Sequence, residues 1–187
     1  MLARAKMVRP EIQPERVSVR VEHPRGAWAA RVLRRRAADF SEALLPGELS
    51  ILVTTDRAIR RLNRRFRGID RATDVLSFPP DPGSGLAGDV AISLDTAWRE
   101  AAREGRPLSD ELSRLLAHGL LHLAGHDHHR PSEARRMAAA EVDLLGRVGL
   151  VGQALGHPKD LVFQRGPLSR RPRKAPDARR APEKEST

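Results

Sequence analysis

The chain has 187 residues, enough for one domain with a substantial core. It contains no cysteine, which excludes a disulfide framework, a thiolate metal site and a cysteine nucleophile. Its formal net charge of +10 favours a polyanionic partner, and no apolar run approaches the ~20 residues of a membrane span.

Residues 1–15 read as a variable extension. Their basic residues are not followed by the hydrophobic run of a secretory signal, and Met7 offers an alternative start. Residues 17–22 alternate apolar and polar, the period of a half-buried strand, until Pro24 and Gly26 break it. Trp28, Val32, Leu33, Phe40, Ala43 and Leu44 recur at helical spacing. They predict a helix from about 27 to 45 with Arg31, Arg34, Arg35 and Arg36 towards solvent. Pro46 and Gly47 stop it, and the β-branched run 49–54 predicts a buried strand. Asp56 suits an N-cap for a helix to about Phe66, whose end delivers Arg67, Gly68 and Asp70 into a loop. Thr73 and Asp74 open a strand over 75–78, closed by Pro79 and Pro80. Turn residues fill 81–85, and a fourth strand covers 88–93. Asp95 suits the cap of the next helix, which runs to about Glu104.

Ser109, Asp110 and Glu111 begin another helix, with acidic residues near its positive end. Leu112, Leu115, Leu116 and Leu120 make it apolar on several sides, so it is expected to be central and buried. Pro131 and Ser132 start a last helix carrying Met137, Ala140, Val142 and Leu145, with Met137 in the core. After about Gly156, arginines separated by prolines and alanines predict a disordered basic tail over 157–187, which leaves 16–156 as the folded domain. The element order β-α-β-α-β-β-α-α-α is that of an α+β fold: a four-stranded mixed sheet packed on helices, with the helix around residue 118 at its centre.

That helix carries the most informative stretch. Residues 118–128 hold four of the seven histidines. His118 and His122 are four apart, a separation that rotates a side chain only ~40° on a helix and puts both imidazoles on one face. Gly125 can adopt a left-handed conformation, end the helix and turn the chain, returning His128 towards the pair. The pattern H-x-x-x-H-x-x-G-x-x-H is a three-histidine site with an open fourth position, the arrangement of a catalytic zinc with one ion per chain. His126 is expected to line the site without binding the ion, and His129 to be solvated. A zinc protease with this spacing carries Glu directly after the first histidine as general base; here that position is Gly119.

The same stretch resembles the signature of the YbeY family, bacterial metal-dependent endoribonucleases of ribosomal RNA maturation, whose pattern runs H-G-x-L-H-L-x-G-x-D-H. His118, Gly119, Leu121, His122, Leu123, Gly125, Asp127 and His128 match it. Leu62, Asn63, Phe66, Arg67 and Gly68, then Thr73 to Pro79, match a second block. Gly88, Asp89 and Val90 match a third, weaker one. Phe66 stands where the family often has tyrosine, so no role falls to that hydroxyl here.

The resemblance implies an endoribonuclease that prefers single strands and acts in rRNA processing and ribosome maturation. His118, His122 and His128 would hold a zinc ion that lowers the pKa of a bound water. Arg67 would hold the scissile phosphate through a bidentate guanidinium. Asp127 is expected to orient a ligand imidazole. Asp74 is a further candidate, with hydrogen bonding at the strand start as its ordinary alternative. The implied partners are ribosomal RNA, in particular the small-subunit precursor, together with ribosomal proteins or an assembly GTPase; no membrane is involved and the setting is cytoplasmic. The rivals are a non-catalytic ribosome-assembly factor with a structural metal, and a zinc metallohydrolase or protease, which Gly119 argues against.

Overall fold

The computed structural model describes residues 16–150. Its elements follow in the order β1 (Val17–Val21), α1 (Ala27–Leu44), β2 (Glu48–Thr54), α2 (Asp56–Arg67), β3 (Val75–Phe78), β4 (Leu86–Ser93), α3 (Leu94–Arg103), α4 (Leu108–Leu123) and α5 (Pro131–Arg147). The expected extension over 1–15, the basic tail and the stretch 151–156 lie outside the described residues. β1 pairs with β2 and β2 with β4 in parallel, while β3 joins β4 antiparallel. The sheet therefore runs β1-β2-β4-β3 and is mixed, as the sequence predicts.

Period-two alternation sorts the strand residues onto two faces. Leu49, Ile51 and Val53 of β2, Val75 of β3, and Val90 and Ile92 of β4 join the larger core, with α1, α4 and α5. The intervening Leu52, Leu76, Phe78 and Ala91 turn to the other face and meet Ile59, Leu62 and Phe66 of α2. Phe66 packs edge-to-face on Phe78, with ring centroids 5.1 Å apart. Each fully buried Leu, Ile or Phe side chain contributes ~1.5–3 kcal/mol of transfer free energy, so the larger face dominates stability.

α4 lies at the centre of that face, against α1, α3, α5, β3 and β4. Every residue from Glu111 to His122 is buried. Two glycines make this close approach possible. A Cβ on Gly119 would sit 3.1 Å from both Ser77 Oγ and Val90 Cγ1. Ser77 Oγ instead donates to the Gly119 carbonyl at 3.0 Å. Gly88 has φ +123°, and a Cβ there would come within 2.9 Å of Leu123 Cδ2. The C-terminal end of α4 thus rests almost directly on the sheet.

Two helix starts differ from the sequence expectation. Thr55, not Asp56, caps α2: its Oγ1 accepts the Ala58 N–H at 3.3 Å. Ser93, not Asp95, caps α3: its Oγ accepts the Thr96 N–H at 3.3 Å. The two aspartates cross between the helices instead. Asp95 Oδ2 accepts the Asp56 N–H at 2.8 Å, while Asp56 Oδ1 accepts from Ser93 Oγ at 2.5 Å and Thr96 Oγ1 at 2.7 Å. Both carboxylates sit at positive helix ends. Burial alone would raise the Asp56 pKa, but hydrogen bonds from Ser93, Thr96 and Arg99, with the Arg99 charge, hold it below the usual carboxylate range. Helical spacing also put Trp28 and Val142 on apolar faces, yet they are 42% and 47% exposed. At ~100° per residue, both lie roughly 100° or more from the centre of their helix's buried stripe.

Candidate metal centre

His118 and His122 occupy the last two turns of α4, stacked on one side and buried. The helix then ends in a Schellman motif. The Gly125 N–H reaches the His122 carbonyl at 3.0 Å and the His126 N–H reaches the Leu121 carbonyl at 2.9 Å. Gly125 supplies the left-handed residue this needs, with φ +86°. The turn sends the chain back over the helix end and seats His128 against the pair. Ring centroids of His128 lie 5.6 Å from His118 and 5.2 Å from His122.

Each helix histidine is held by its Nδ1. The Glu141 carboxylate accepts from His118 Nδ1 at 2.5 Å, and the His126 carbonyl accepts from His122 Nδ1 at 3.1 Å. An ionised carboxylate and a carbonyl can only accept, so both Nδ1 atoms carry the proton and both Nε2 atoms keep a lone pair. Those two Nε2 atoms face each other at 3.0 Å. Two acceptors at that distance cannot bond to each other; a cation between them satisfies both. One ligand nitrogen from each of His118, His122 and His128 lies within 4.8 Å of the others. A tetrahedral ion with bonds of ~2.1 Å holds its nitrogens ~3.4 Å apart, well inside that limit. Burial, then the neighbouring His118 and His128, push the His122 pKa down to about 3, so this ring is neutral at pH 7 as a ligand must be. The residues present therefore fit a zinc-type ion.

The other sequence candidates fall in different places. His126 contributes its backbone carbonyl, while its side chain lines a cavity of about 260 Å³ beside the turn, with Asp127, Glu133 and Arg136. His129 is half exposed, 3.5 Å from Asp127 Oδ2. Asp127 acts on the backbone: its Oδ1 accepts the His128 N–H at 2.7 Å. The acceptor on a ligand imidazole, expected of Asp127, is Glu141 of α5. Asp74 Oδ1 accepts from Thr73 Oγ1 at 3.0 Å and the Val75 N–H at 2.8 Å, the ordinary strand-start role. Enclosure of that carboxyl raises its pKa, and the hydrogen bonds from the Val75 N–H and Thr73 Oγ1 pull the other way. Arg67 is the last residue of α2 rather than a loop residue, and Gly68 closes the helix behind it with φ +70°. Its Nε and Nη1 atoms are buried.

Glu141 is the site residue that sequence reasoning missed. A signal was present: Glu141 falls on the same stripe of α5 as Met137, Leu144 and Leu145. A carboxylate in such a stripe requires a partner. The structure also explains why Gly119 carries no base. Its Cα faces Ser77 and Val90, so a glutamate there would drive into the sheet.

The chain is similar to proteins of known name. The family described as Endoribonuclease YbeY matches residues 12–149. A protein named Endoribonuclease YbeY from Anaeromyxobacter sp. (strain Fw109-5) is 60% identical over 139 residues, 72% of each chain. One of the same name from Myxococcus xanthus (strain DK1622) is 50% identical over 162 residues, 82% of this chain and 55% of that one. The solution structure of TM1509 from Thermotoga maritima aligns with TM-score 0.50 and 22% identity over 71% of this chain and 91% of that one, a likeness of fold. With the family match extending over all nine elements, the chain belongs to the YbeY family.

Proposed function

We propose that the protein is a metal-dependent endoribonuclease that cuts single-stranded RNA in the cytoplasm, with ribosomal RNA precursors of the small subunit as its substrate. The observation that carries this reading is the convergence of His118 and His122 Nε2 atoms, 3.0 Å apart, in a chain of this family. When bound, a zinc-type ion supplies a Lewis acid for a phosphoryl oxygen and lowers the pKa of water. The three imidazoles hold it while leaving a coordination position for substrate or water. Glu141 and the His126 carbonyl keep two of the rings in the ligand tautomer. Arg67 holds the scissile phosphate and offsets the charge that builds on it. No helix of the described residues is long and apolar enough to cross a membrane.

The test is cleavage of single- and double-stranded RNA by the purified full chain, with and without chelator, beside His118→Ala. Cleavage of the single strand that disappears with chelator and with the variant is the expected result. A protein that binds zinc and RNA but leaves both strands intact is an assembly factor, and the enzyme reading then fails. The arginines of residues 157–187 are proposed to neutralise RNA phosphates outside the chemical step. Truncation there should flatten the salt dependence of RNA binding by about 0.7 in log–log slope for each phosphate that the tail neutralises, leaving the saturating rate unchanged.

A further inference from the structure

The inward stripe of α5 is apolar except at one position. Met137, Leu144 and Leu145 are buried there, and among them Glu141 is 4% exposed. Glutamate at such a place is unfavourable for folding unless its charge is paired. Its partner is His118 Nδ1 at 2.5 Å, across the α4–α5 interface. The neighbouring ligand shows that a carboxylate is not needed merely to fix a tautomer. His122 Nδ1 achieves the same with the neutral carbonyl of His126 at 3.1 Å. Three neutral imidazoles bring no negative charge to a dication, and Glu141 delivers one through a direct hydrogen bond to a ligand ring. Arg114, 2% exposed and four residues before His118, lies within electrostatic reach of both Glu141 and Glu111.

We propose that Glu141 is a positioning residue of the metal centre: its carboxylate on His118 Nδ1 aims the Nε2 lone pair at the ion and offsets part of the ion's charge. This rests on the reading of the three histidines as ligands. It differs from a purely structural link between α4 and α5, which would alter melting of the ion-free protein without altering affinity for the ion. Carboxylate partners of metal-bound imidazoles generally change affinity by ~10–100-fold when removed.

The experiment uses the full chain as wild type, Glu141→Gln, Glu141→Ala and Asp143→Asn. Asp143 is a control on the same helix, with a side chain 67% exposed and paired to Arg147. Zinc affinity is measured at pH 7 by competition with a chromophoric chelator. Imidazole ¹⁵N spectra of the ion-free protein report the His118 tautomer. Glu141→Gln keeps the shape and an acceptor oxygen but loses the charge, so zinc should bind ~10-fold more weakly with the tautomer retained. Glu141→Ala should approach ~100-fold and lose the single tautomer. Asp143→Asn should stay within about twofold, as expected for a screened surface charge. If Glu141→Ala does not fold, the isosteric Gln variant decides. Zinc affinity within twofold of wild type in Glu141→Gln, whatever the change in melting temperature, overturns the proposal and leaves Glu141 a structural link. A wild type that binds no zinc overturns this proposal and the ligand assignment together, which separates that failure from the first.

Discussion

His23 and His118 are both buried, and each has one ring nitrogen on a carboxylate. His23 Nε2 meets Asp95 Oδ1 at 3.0 Å, and His118 Nδ1 meets Glu141 Oε1 at 2.5 Å. The second nitrogen separates them. His23 Nδ1 accepts the Arg25 N–H at 3.1 Å, so both of its nitrogens are engaged locally. His118 Nε2 faces another Nε2, that of His122, at 3.0 Å. A histidine–carboxylate pair is therefore no sign of a site by itself. Where the second nitrogen points decides whether the pair ties the fold together or offers a lone pair to a ligand.

The largest effect should come from breaking the offered pair. His122→Ala removes one of the two convergent Nε2 atoms, and elemental analysis should fall from about one zinc equivalent per chain towards none. Stoichiometric metal persisting in a variant with alanine at positions 118, 122 and 128 would mean that the ion sits elsewhere.

The arginines are proposed to divide in the same way. Arg114 belongs to the buried layer with Glu111 and Arg106; its Nε is 3.7 Å from Glu111 Oε2. Burial raises the Glu111 pKa and lowers that of Arg114, so enclosure outweighs their attraction. Arg114→Ala should destabilise the fold by ~2–5 kcal/mol, because it empties the space of a large buried side chain, while Glu111 keeps Arg106 at 2.8 Å. Arg67→Ala should instead keep both zinc and melting temperature while RNA cleavage is lost, and Arg67→Lys should restore little because an ammonium cannot make a bidentate pair. A large fall in melting temperature for Arg67→Ala would move Arg67 into the structural class with Arg114.

The satisfied histidine should behave in the opposite sense to His122. His23→Ala leaves Asp95 Oδ1 and the Arg25 N–H without their ring partner. The cost is ~2 kcal/mol, or about 4–8 °C in melting temperature, with zinc affinity unchanged. Acid should loosen the same latch through Asp56. A carboxyl held below its unfolded pKa stabilises the fold fully above that unfolded value, and the stabilisation is lost as pH falls through the folded value. Asp56→Asn should remove that part of the acid dependence, as read from urea midpoints at about pH 5 and below.

Much of the fold is legible in local sequence. Strand alternation, the Pro–Gly stop after α1 and the histidine spacing around Gly125 are local signals, and the structure follows them. What escapes sequence reasoning depends on partners distant in the chain. Thr55 and Asp56 both offer a capping oxygen, as do Ser93 and Asp95, and the choice is made by the meeting of α2 and α3. Glu141 lies on the apolar stripe of α5, a local sign that it needs a partner, but which residue that is, 23 positions away, emerges only when α5 is laid against α4. Gly119 reads as a missing base from sequence alone; its closeness to Ser77 and Val90 shows that any side chain there would press on the sheet.

The smallest effect should fall on His126, and it sharpens the comparison most. Its ring lines the cavity beside the turn, while its carbonyl is what holds His122. His126→Ala deletes the ring and keeps the carbonyl, so zinc affinity should stay within about twofold and His122 should keep its Nδ1–H tautomer, as expected when every hydrogen bond to a ligand is kept. Gly125→Ala is the informative counterpart. A Cβ there meets no atom within 4 Å, so any effect must come through the backbone at φ +86°. The left-handed conformation costs an alanine ~1–2 kcal/mol. Relief of that strain would shift the His126 carbonyl and the path to His128. Weaker zinc binding in Gly125→Ala than in His126→Ala would show that the turn, and not the extra imidazole, builds the third side of the centre. The reverse order would make His126 a ligand in exchange with His128.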